Sequence, residues 1–389
     1  MRPSSRRPDV LIAGAGPAGT AAAIALARGG ARVLLLDRAR FPRVKPCGDT
    51  LNPGALGALD VLGLREEVEA RGYPLEGMVV TGASGQRVVA TYPGQHALAI
   101  RRDVLDALLV EHAARAGADF REGVRVVAPL LETSAAPCVR GAVVSAARAA
   151  ESIDARWTIA ADGRRSAFAR SLGLSTLAPS PRRWAVRAYY GGVNGCERLG
   201  EMHIRRGHYV GVAPIGGGVV NVCAVTADRT RLVRPLTFLE DVLRGDAQLR
   251  DRFARAERVS EVNCVGPLAV RNRLSGMPGL ALAGDAAGFV DPMTGDGLRF
   301  AIVGGLLAAS AIRAASDDPT TAMHARLAAS RQGAFARKRW MNLGLRTLLS
   351  TSGGVRAAEG VAAVAPFVVR QLILAAADLP ARATCPVER

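Results

Sequence analysis

Residues 10–37 read VLIAGAGPAGTAAAIALARGGARVLLLD, and this stretch decides the fold. The short apolar run Val10–Ala13 is typical of a parallel strand that is buried on both faces. The glycine-rich turn that follows predicts a helix over 17–28, and after two further glycines the run 32–36 predicts a second strand that ends at Asp37. Together these residues predict one β-α-β unit.

The turn of this unit fits the dinucleotide pattern G-x-G-x-x-G at Gly14, Gly16 and Gly19. The first glycine permits a tight turn, the second lets the backbone approach a pyrophosphate, and the third allows close packing of the helix on the sheet. The helix, with Pro17 in its first turn, directs N–H groups and its positive dipole end at the phosphates. Asp37 comes 23 residues after Gly14, where a carboxylate can bind the ribose of an adenosine. The unit alone leaves NAD and FAD both open.

The composition predicts an ordinary globular protein of about two domains. The chain has 389 residues, of which 49% are apolar and 22% charged, enough to bury a large core. The net charge of +17 comes from arginines spread along the chain, with Lys45 and Lys338 as the only lysines. Because no basic run carries interleaved aromatics, we do not expect nucleic-acid binding. A positive surface instead favours anionic substrates or cofactors.

The cysteine pattern predicts neither a metal site nor an oxidising compartment. No C-x-x-C pair and no Cys/His cluster with metal-ligand spacing occurs among Cys47, Cys138, Cys196, Cys223, Cys264 and Cys385. The stretch Ser5-Arg6-Arg7 resembles a twin-arginine signal only faintly, because the apolar run behind it is the nucleotide-binding strand itself. The longest apolar run, Phe300–Ile312, is too short to span a bilayer. We therefore expect a cytoplasmic protein.

Periodicity and turn signals predict the remaining elements. We predict helices over 53–64, from 100 onward and over 298–314, and strands over 119–127, 153–161 and 280–283. Antiparallel strands are predicted within 78–99 and in a β-rich region over 182–264. The C-terminal end is predicted to be helical, with breaks at Gly353-Gly354 and Pro366. We expect this end to cap the fold, with an amphipathic, membrane-touching end as the alternative.

Three motifs stand at the ends of predicted strands: G-x-G-x-x-G at Gly14, Asp-Gly at Asp162 and Gly-Asp at Asp285. Together they resemble the FAD-dependent oxidoreductases of the aromatic-hydroxylase class (group A flavin monooxygenases) over about the first 315 residues. In that class the Gly-Asp carboxylate binds the ribitol of FAD, so the resemblance implies FAD rather than NAD. A narrower resemblance, to the geranylgeranyl reductase branch, rests on Lys45-Pro46-Cys47-Gly48-Asp49 and on Pro292-Met293-Thr294-Gly295-Asp296-Gly297.

The resemblance implies an α/β fold, in which a Rossmann-like FAD-binding domain carries an inserted antiparallel β-sheet substrate domain and C-terminal helices. The discontinuous FAD-binding domain would comprise residues 1–75, 101–180 and 266–315. The substrate domain would comprise 76–100 and 181–265, and the C-terminal helical region 316–389.

The same branch implies the residues that contact FAD, and its R-x-x-L-D pattern selects Arg102 over Arg101. The implied contacts are Ala18, Asp37, Cys47, Gly48, Thr50, Arg102, Val126, Asp285, Gly297 and Leu298. The motifs add Gly14, Gly16, Pro17, Gly19, Arg38, Asp162, Gly284 and Gly295. We expect non-covalent binding, because no histidine or cysteine lies in the usual attachment context.

Physical reasons accompany two of these assignments. Gly297 and Leu298 open a helix, so their N–H groups can direct partial positive charge at the flavin edge where negative charge builds on reduction. Cys47 would lie near the isoalloxazine, as a candidate catalytic residue or as a small buried thiol.

One stretch departs from the branch. Prenyl reductases carry a Y-x-W-x-F-P-like motif in the substrate sheet, whereas this chain reads Tyr209-Val210-Gly211-Val212-Ala213-Pro214. Gly211 and Ala213 replace two large aromatics, which predicts a wider substrate pocket lined by Tyr209, Gly211, Ala213 and Pro292.

The wider pocket decides the order of the expected reactions. We expect first a monooxygenase that hydroxylates or epoxidises an apolar small molecule of secondary metabolism. The alternative is a reductase that saturates isolated C=C bonds of a prenyl lipid or quinone, with a halogenase or an oxidase as minor alternatives. A non-enzymatic flavin-binding module would leave the Cys47 and Pro292 loops without a purpose. No second G-x-G-x-x-G follows a strand, so NAD(P)H would dock only transiently as electron donor.

Overall fold

A computed structural model describes the chain over residues 7–132, 137–146, 149–177, 182–315 and 322–379. Ser5, Arg6 and Cys385, together with parts of the predicted helical region 316–389, lie outside the described residues.

The described chain contains 22 strands, most of them short. In chain order they are β1 (Val10–Ala13), β2 (Val33–Asp37), β3 (Thr50–Leu51), β4 (Tyr73–Leu75), β5 (Gly77–Thr81), β6 (Arg87–Thr91), β7 (Ala97–Ala99), β8 (Asp119–Glu122), β9 (Arg125–Glu132), β10 (Cys138–Ala146), β11 (Ala149–Asp154), β12 (Trp157–Ala160), β13 (Ser175–Leu177), β14 (Trp184–Gly191), β15 (Leu199–Arg205), β16 (His208–Pro214), β17 (Val219–Thr226), β18 (Glu257–Arg258), β19 (Asn263–Val265), β20 (Val270–Asn272), β21 (Gly276–Met277) and β22 (Leu280–Leu282).

Eleven α-helices complete the described elements. They are α1 (Pro17–Arg28), α2 (Pro53–Val61), α3 (Arg65–Glu69), α4 (Arg102–Arg115), α5 (Ala167–Ser171), α6 (Pro235–Gly245), α7 (Arg250–Phe253), α8 (Gly297–Arg313), α9 (Met323–Leu348), α10 (Ser352–Val364) and α11 (Pro366–Ala376).

The first sheet has the strand order of a dinucleotide-binding fold. Its six strands run β21-β22-β12-β1-β2-β8, and all neighbours are parallel except the edge pair β21–β22. Strand order reverses at β1, between β2 and β12, and ligands of such sheets bind outside the carboxyl ends of the strands at that point. β1 and β2 are buried throughout, as their continuous apolar sequences predict.

The second large sheet lies in the middle of the chain. Its eight strands include the path β18-β14-β17-β16-β15-β5-β6, with β19 also paired to β14. The pairs are antiparallel except β5–β15, which is parallel. One face packs on α6 through an apolar cluster that includes Val210 and Phe238. The α/β fold class with an inserted, largely antiparallel sheet and C-terminal helices is thus confirmed.

Several predicted boundaries were wrong where a turn divides an apolar run. The predicted strand 119–127 is two strands in two sheets, β8 and β9, because Gly123 adopts a positive φ of 74° between them. The predicted strand 153–161 is likewise divided into β11 and β12. The Ala155 N–H still donates to the Arg140 carbonyl of β10, whereas the Trp157 N–H donates to the Asp9 carbonyl beside β1.

Other predictions assigned the wrong neighbours. Strand β7, expected with the substrate strands, pairs instead with β3 and β4 in a separate three-stranded sheet.

Helix boundaries also differ from the prediction. The predicted helix 53–64 ends at Val61 and is followed by the short α3, and the β-rich region also contains α6 and α7. The break predicted at Gly353-Gly354 lies just before them, between α9 and α10, because both glycines are in the first turn of α10, which Thr351 caps; the break predicted at Pro366 is confirmed, since α11 begins there.

Two glycine contacts bring α1 against its neighbours. A Cβ on Gly19 would stand 1.8 Å from the Gly14 carbonyl oxygen, so only glycine allows α1 to begin this close to the turn. A Cβ on Gly305 of α8 would stand 2.1 Å from the Ala18 carbonyl oxygen. Helices α1 and α8 therefore pack backbone to backbone, which places the N-termini of both near the same edge of the sheet.

Replacing Gly305 by alanine tests this close approach. The added methyl group must push α1 and α8 apart, and overpacking of this kind costs about 1–3 kcal/mol of unfolding free energy. Gly333→Ala in α9 is the matched control, because a Cβ there meets no atom within 4 Å and alanine should stabilise the helix by roughly 0.5–1 kcal/mol. Chemical denaturation measures both. If Gly305→Ala were as stable as the control, the helices would not be in close contact.

Candidate active site

The glycine-rich turn forms an open cradle at the carboxyl end of β1. Gly14 has a φ of 100°, and a Cβ there would stand 2.4 Å from the Ala161 carbonyl oxygen, so the turn packs tightly on the end of β12. At Gly16, by contrast, a Cβ would meet only Nη2 of Arg43, at 3.5 Å. The N-terminus of α1 therefore faces space that is open to a phosphate and bordered by a guanidinium, which fits the pyrophosphate of FAD.

Asp37 holds this cradle in shape from the end of β2. Its carboxylate accepts the Ala15 N–H at 2.9 Å and the Ala39 N–H at 2.8 Å. Two carboxylate oxygens have about four acceptor sites, so these bonds leave capacity for a ribose hydroxyl. The Asp37 carbonyl accepts the Val124 N–H, which brings the segment that contains Val126 beside the predicted adenosine end.

Two arginines share one buried carboxylate at the cradle. Asp106 accepts Nε and Nη2 of Arg102, both at 2.9 Å, and lies 3.1 Å from Nη2 of Arg43. Burial opposes the charged form of Arg102, but Asp106 and Cys47 together outweigh burial and raise the pKa of the guanidinium. Nη2 of Arg43 also lies 3.9 Å from Asp37, so two carboxylates balance the two guanidinium groups, and Arg43 borders the open space at Gly16 where an anionic ligand would bind. Of the two arginines adjacent in sequence, Arg102 is buried, whereas Arg101 is exposed and donates a hydrogen bond to Asp103.

The Cys47–Asp49 loop crosses from the first sheet to the second. Asp49, at a φ of 55°, is fully buried, and its Oδ2 accepts the Tyr189 hydroxyl at 2.6 Å and Nη2 of Arg187 at 3.1 Å. Nδ2 of Asn221 donates to the Cys47 carbonyl at 2.9 Å. A Cβ on Gly48 would meet no atom within 4 Å. The loop is therefore fixed on the side of the second sheet and open at Gly48.

Burial sets the protonation of this loop. It raises the pKa of the Cys47 thiol, although nearby Arg102 opposes the rise, so a neutral thiol is favoured over a thiolate nucleophile. It also raises the pKa of Asp49, against the lowering effect of Arg187. Burial also raises the pKa of the Cys223 thiol, on the sheet face that meets this loop, to about 12.

The other two motif acids lie at neighbouring strand ends. Asp162 follows β12, and its Oδ2 accepts the Ala167 N–H at 2.7 Å while its buried Oδ1 has no partner within the described chain. Asp285 follows β22 in a short 3₁₀ turn and makes no side-chain hydrogen bond or ion pair to the described residues. The charge of Asp285 acts on nearby Lys45 and Arg164, and its carboxylate oxygens retain acceptor capacity for the ribitol hydroxyls of FAD. Half-buried Lys45 has its Nζ beside Gly163, and desolvation lowers its pKa although the charge of Asp285 opposes this.

A network of distant residues fixes the loop before α8. Oδ1 of Asp296 accepts Nζ of Lys338 at 2.8 Å and Nδ2 of Asn52 at 2.9 Å. Lys338 also donates to the Ala376 carbonyl and lies 3.1 Å from Asp378. A compact ammonium with three donors fits three acceptors at one point better than a planar guanidinium. The N–H groups of Gly297 and Leu298 are thereby held at the start of α8.

The Pro292 loop is tied to the second sheet by a second buried carboxylate. Asp291 accepts the Tyr209 hydroxyl at 2.8 Å and Nη1 of Arg183 at 2.8 Å. Burial and then Asp291 raise the pKa of Tyr209 well above its ordinary value. The hydroxyl of Tyr209, a predicted pocket residue, is therefore engaged in holding the loop.

Three predicted pocket residues share the sheet face that meets the Cys47–Asp49 loop, whereas Pro292 lies in the loop before α8. Tyr209, Gly211 and Ala213 alternate with Val210 and Val212, which pack on the α6 side. Their cross-strand partners on the same face are Val225, Cys223 and Asn221. The row formed by Gly211 and Cys223 continues to Met202 on one side and to Arg187 on the other. Part of this face is covered by apolar side chains, namely Phe289, Met293, Leu345 and Leu349. We call this side of the sheet the loop-facing face.

The structure gathers most of the predicted site residues at one edge. Near the three motif loops lie Gly14, Gly16, Pro17, Ala18, Gly19, Asp37, Cys47, Gly48, Thr50, Arg102, Asp162, Gly284, Asp285, Gly295, Gly297 and Leu298. Arg38 is exposed, and Val126 belongs to the separate three-stranded sheet of β9, β10 and β11.

Sequence reasoning missed the residues that hold these loops in place. They are Arg43, Asn52, Asp106, Arg183, Arg187, Tyr189, Asn221, Asp291 and Lys338. One signal was available: the only two lysines of an arginine-rich chain both lie at the site.

No group of three or more potential metal ligands occurs among the described residues. Within that part of the chain Cys47, Cys196, Cys223 and Cys264 form no disulfide. Among the same residues no single helix has the length and apolarity to cross a bilayer, whereas α10 and α11 together have both but are bent by 108° at their junction.

Comparison with known proteins places the chain among flavoproteins. A family model described as "FAD binding domain" matches residues 7–318. The chain is 31% identical over 332 residues to menaquinone reductase of Mycobacterium tuberculosis, covering 77% of this chain and 75% of the relative. It is 30% identical over 329 residues to digeranylgeranylglycerophospholipid reductase 1 of Methanothermobacter thermautotrophicus, covering 79% and 77%.

Solved structures show the same fold at lower identity. A geranylgeranyl bacteriochlorophyll reductase-like protein from Thermoplasma acidophilum has a TM-score of 0.78 at 22% identity, covering 94% of this chain and 98% of that chain. The flavin-dependent brominase Bmp2 has a TM-score of 0.81 at 20% identity, covering 96% and 94%. At these identities reductases and halogenases alike share the architecture.

Replacing Asp285 by alanine tests its assignment to the ribitol. Loss of a charge-assisted hydrogen bond to a buried ligand costs about 1.5–3 kcal/mol, or roughly 10–150-fold in affinity. Asp285→Ala should therefore purify largely without FAD while remaining folded by circular dichroism. Asp60→Ala, at an exposed aspartate of α2, is the control and should keep its flavin. Full flavin absorbance in Asp285→Ala would refute the assignment.

Proposed function

The chain belongs to the FAD-binding domain family as an FAD-dependent oxidoreductase, and we propose that it saturates isolated C=C bonds of a prenyl lipid or quinone. The observation that carries this proposal is the tie between the Cys47–Asp49 loop and the loop-facing face. Hydrogen bonds from Arg187, Tyr189 and Asn221 hold that loop directly against the sheet. A substrate on the sheet would therefore lie beside the predicted flavin site.

The apolar character of the loop-facing face supports a hydrocarbon substrate. Beyond Arg187 at one end, the row runs through Cys223, Gly211, Met202 and Val80 without a further charged side chain. Leu345 of α9 and Leu349, just after that helix, pack against the same cluster and shield it from water. An extended prenyl chain would lie along such a row by apolar contact alone.

Saturation of a double bond requires two electrons and two protons. FAD, when bound and reduced, supplies the electrons together with one proton. We propose that the Asp49–Tyr189 pair supplies the other, because it holds a proton between oxygen atoms 2.6 Å apart. Burial raises the pKa of both groups, which keeps a proton on the pair at neutral pH. Arg187, whose guanidinium stacks 3.8 Å from the centroid of the Tyr189 ring, orients the pair.

The relatives support reduction over the oxygenation that sequence analysis ranked first. The two relatives at 30% and 31% identity are both reductases by name. One observation still favours a monooxygenase as second candidate: Gly211 and Ala213 leave room on the loop-facing face for a bulkier substrate. We further propose NAD(P)H as a transiently docked electron donor.

Product mass distinguishes the two candidates. Holoenzyme reduced by dithionite under strict anaerobiosis and mixed with a prenyl quinone should give a product heavier by two hydrogen atoms per bond saturated. A product heavier by one oxygen atom, formed only after oxygen is admitted, would establish the monooxygenase instead.

Gly211→Trp tests where the substrate lies. A Cβ at position 211 meets no atom closer than 3.9 Å, so the backbone tolerates a side chain, and the indole would fill the space between Cys223 and Met202. We expect kcat/KM for a ring-bearing prenyl quinone to fall at least about tenfold relative to that for a linear prenyl substrate, since a ring needs the space more than a slim chain does.

Flavin occupancy should stay unchanged in Gly211→Trp. Gly57→Trp, on an exposed position of α2 where a Cβ meets nothing within 4 Å, is the matched control. Equal catalytic ratios in the two variants would place the substrate elsewhere.

A further inference from the structure

The junction of α10 and α11 exposes an apolar corner. Val364 is 88% exposed and Phe367 59%, with Val361 at 43% and Val368 at 36% on either side. The two helices meet at a bend of 108°, so these four side chains lie at or beside a protruding angle of the chain. We call these four residues the apolar corner.

The apolar corner is exposed although α11 is already packed against the rest of the protein on another side. The opposite side of α11 is already packed, through Ile373 and Ala377, on the cluster that contains Leu75 and Val88. Nε of Arg370 donates to the Val89 carbonyl at 3.1 Å and ties α11 to β6. Because α11 is anchored on one side and still presents large apolar side chains on another, those side chains are available to a partner.

The C-terminal helices that carry the apolar corner are basic. Residues 323–379 contain eight arginines and lysines and only two acidic residues, Glu359 and Asp378. Both acids are engaged, Glu359 by the backbone N–H groups of Ala83 and Ser84 and Asp378 by Lys338 and Arg299. The exposed charges that flank the corner are the guanidinium groups of Arg356 and Arg370.

This combination favours an anionic lipid surface over a second copy of the chain. Self-association through the corner would bring Arg356 and Arg370 of both copies together, and like charges across an interface are unfavourable. Apolar side chains that insert among acyl chains, flanked by arginines that meet anionic headgroups, are typical of interfacial membrane contacts.

We propose that the apolar corner inserts into the interfacial layer of an anionic lipid bilayer and docks the protein there. This surface goes beyond the proposed reaction and does not depend on it. For a prenyl substrate, docking would bring the enzyme to the phase in which that substrate dissolves.

Vesicle flotation of the full-length holoprotein tests the proposal without any measurement of turnover. Wild type should float with vesicles of equal parts phosphatidylglycerol and phosphatidylcholine, bind pure phosphatidylcholine less, and lose binding as salt is raised, since ions screen the arginines. Val364→Ser/Phe367→Ser should lower the partition coefficient roughly 10–100-fold, from the apolar area it removes. Arg356→Glu should weaken binding to the anionic vesicles only.

The control is Val233→Ser/Leu274→Ser, at two exposed apolar positions, 82% and 53% exposed, outside the C-terminal helices. It should float like wild type, and the flavin absorbance of every variant checks that each remains folded. The proposal is overturned if wild type does not float with anionic vesicles, or if the corner variant floats equally well. It is also overturned if light scattering shows a dimer that Val364→Ser/Phe367→Ser dissociates, because a second copy would then cover the corner.

Discussion

Close backbone packing at the first turn after β1 is the constraint on which the site depends. Gly14 lies against Ala161 at the end of β12, and Gly19 lies against Gly14 itself, at distances that exclude any side chain. Because the turn is this tight, α1 starts at the sheet edge with its N–H groups unobstructed. The ends of β1, β12 and β22 then stand side by side, and the loops that carry Asp162 and Asp285 leave the sheet at the same edge.

Buried carboxylates hold the remaining loops over this edge. Asp106 binds two arginines, Asp49 binds Arg187 and Tyr189, and Asp296 binds Lys338. Removing one partner of a buried pair costs about 3–5 kcal/mol, whereas replacing the whole pair by apolar groups is often neutral. Apolar packing in place of these ion pairs would therefore give the protein a similar free energy of unfolding. Their value is in setting which loop lies where, which a cofactor site requires to within a fraction of an ångström.

Local patterns predicted some elements well and others poorly for one reason. Helix 17–28 was predicted to the residue, because the glycine turn before it and Gly29 after it mark both ends. The run 119–127 has no such mark except Gly123, and a single glycine in an apolar run is compatible with one strand or two. Which sheet each half joins depends on strands far away in sequence, so periodicity could not divide β8 from β9.

The sequence by itself determined the β-α-β unit and the three motif loops, because each depends on residues within one short segment, and the three motifs together resembled a family that binds FAD. Only the tertiary structure decided how those loops are held and which face of the second sheet meets them. The pairs that do this join Asn52 to Asp296, 244 residues apart, and Arg187 to Asp49, 138 residues apart. Such contacts leave no periodic trace in the sequence, since they exist only once the strand order has brought distant segments to the same edge.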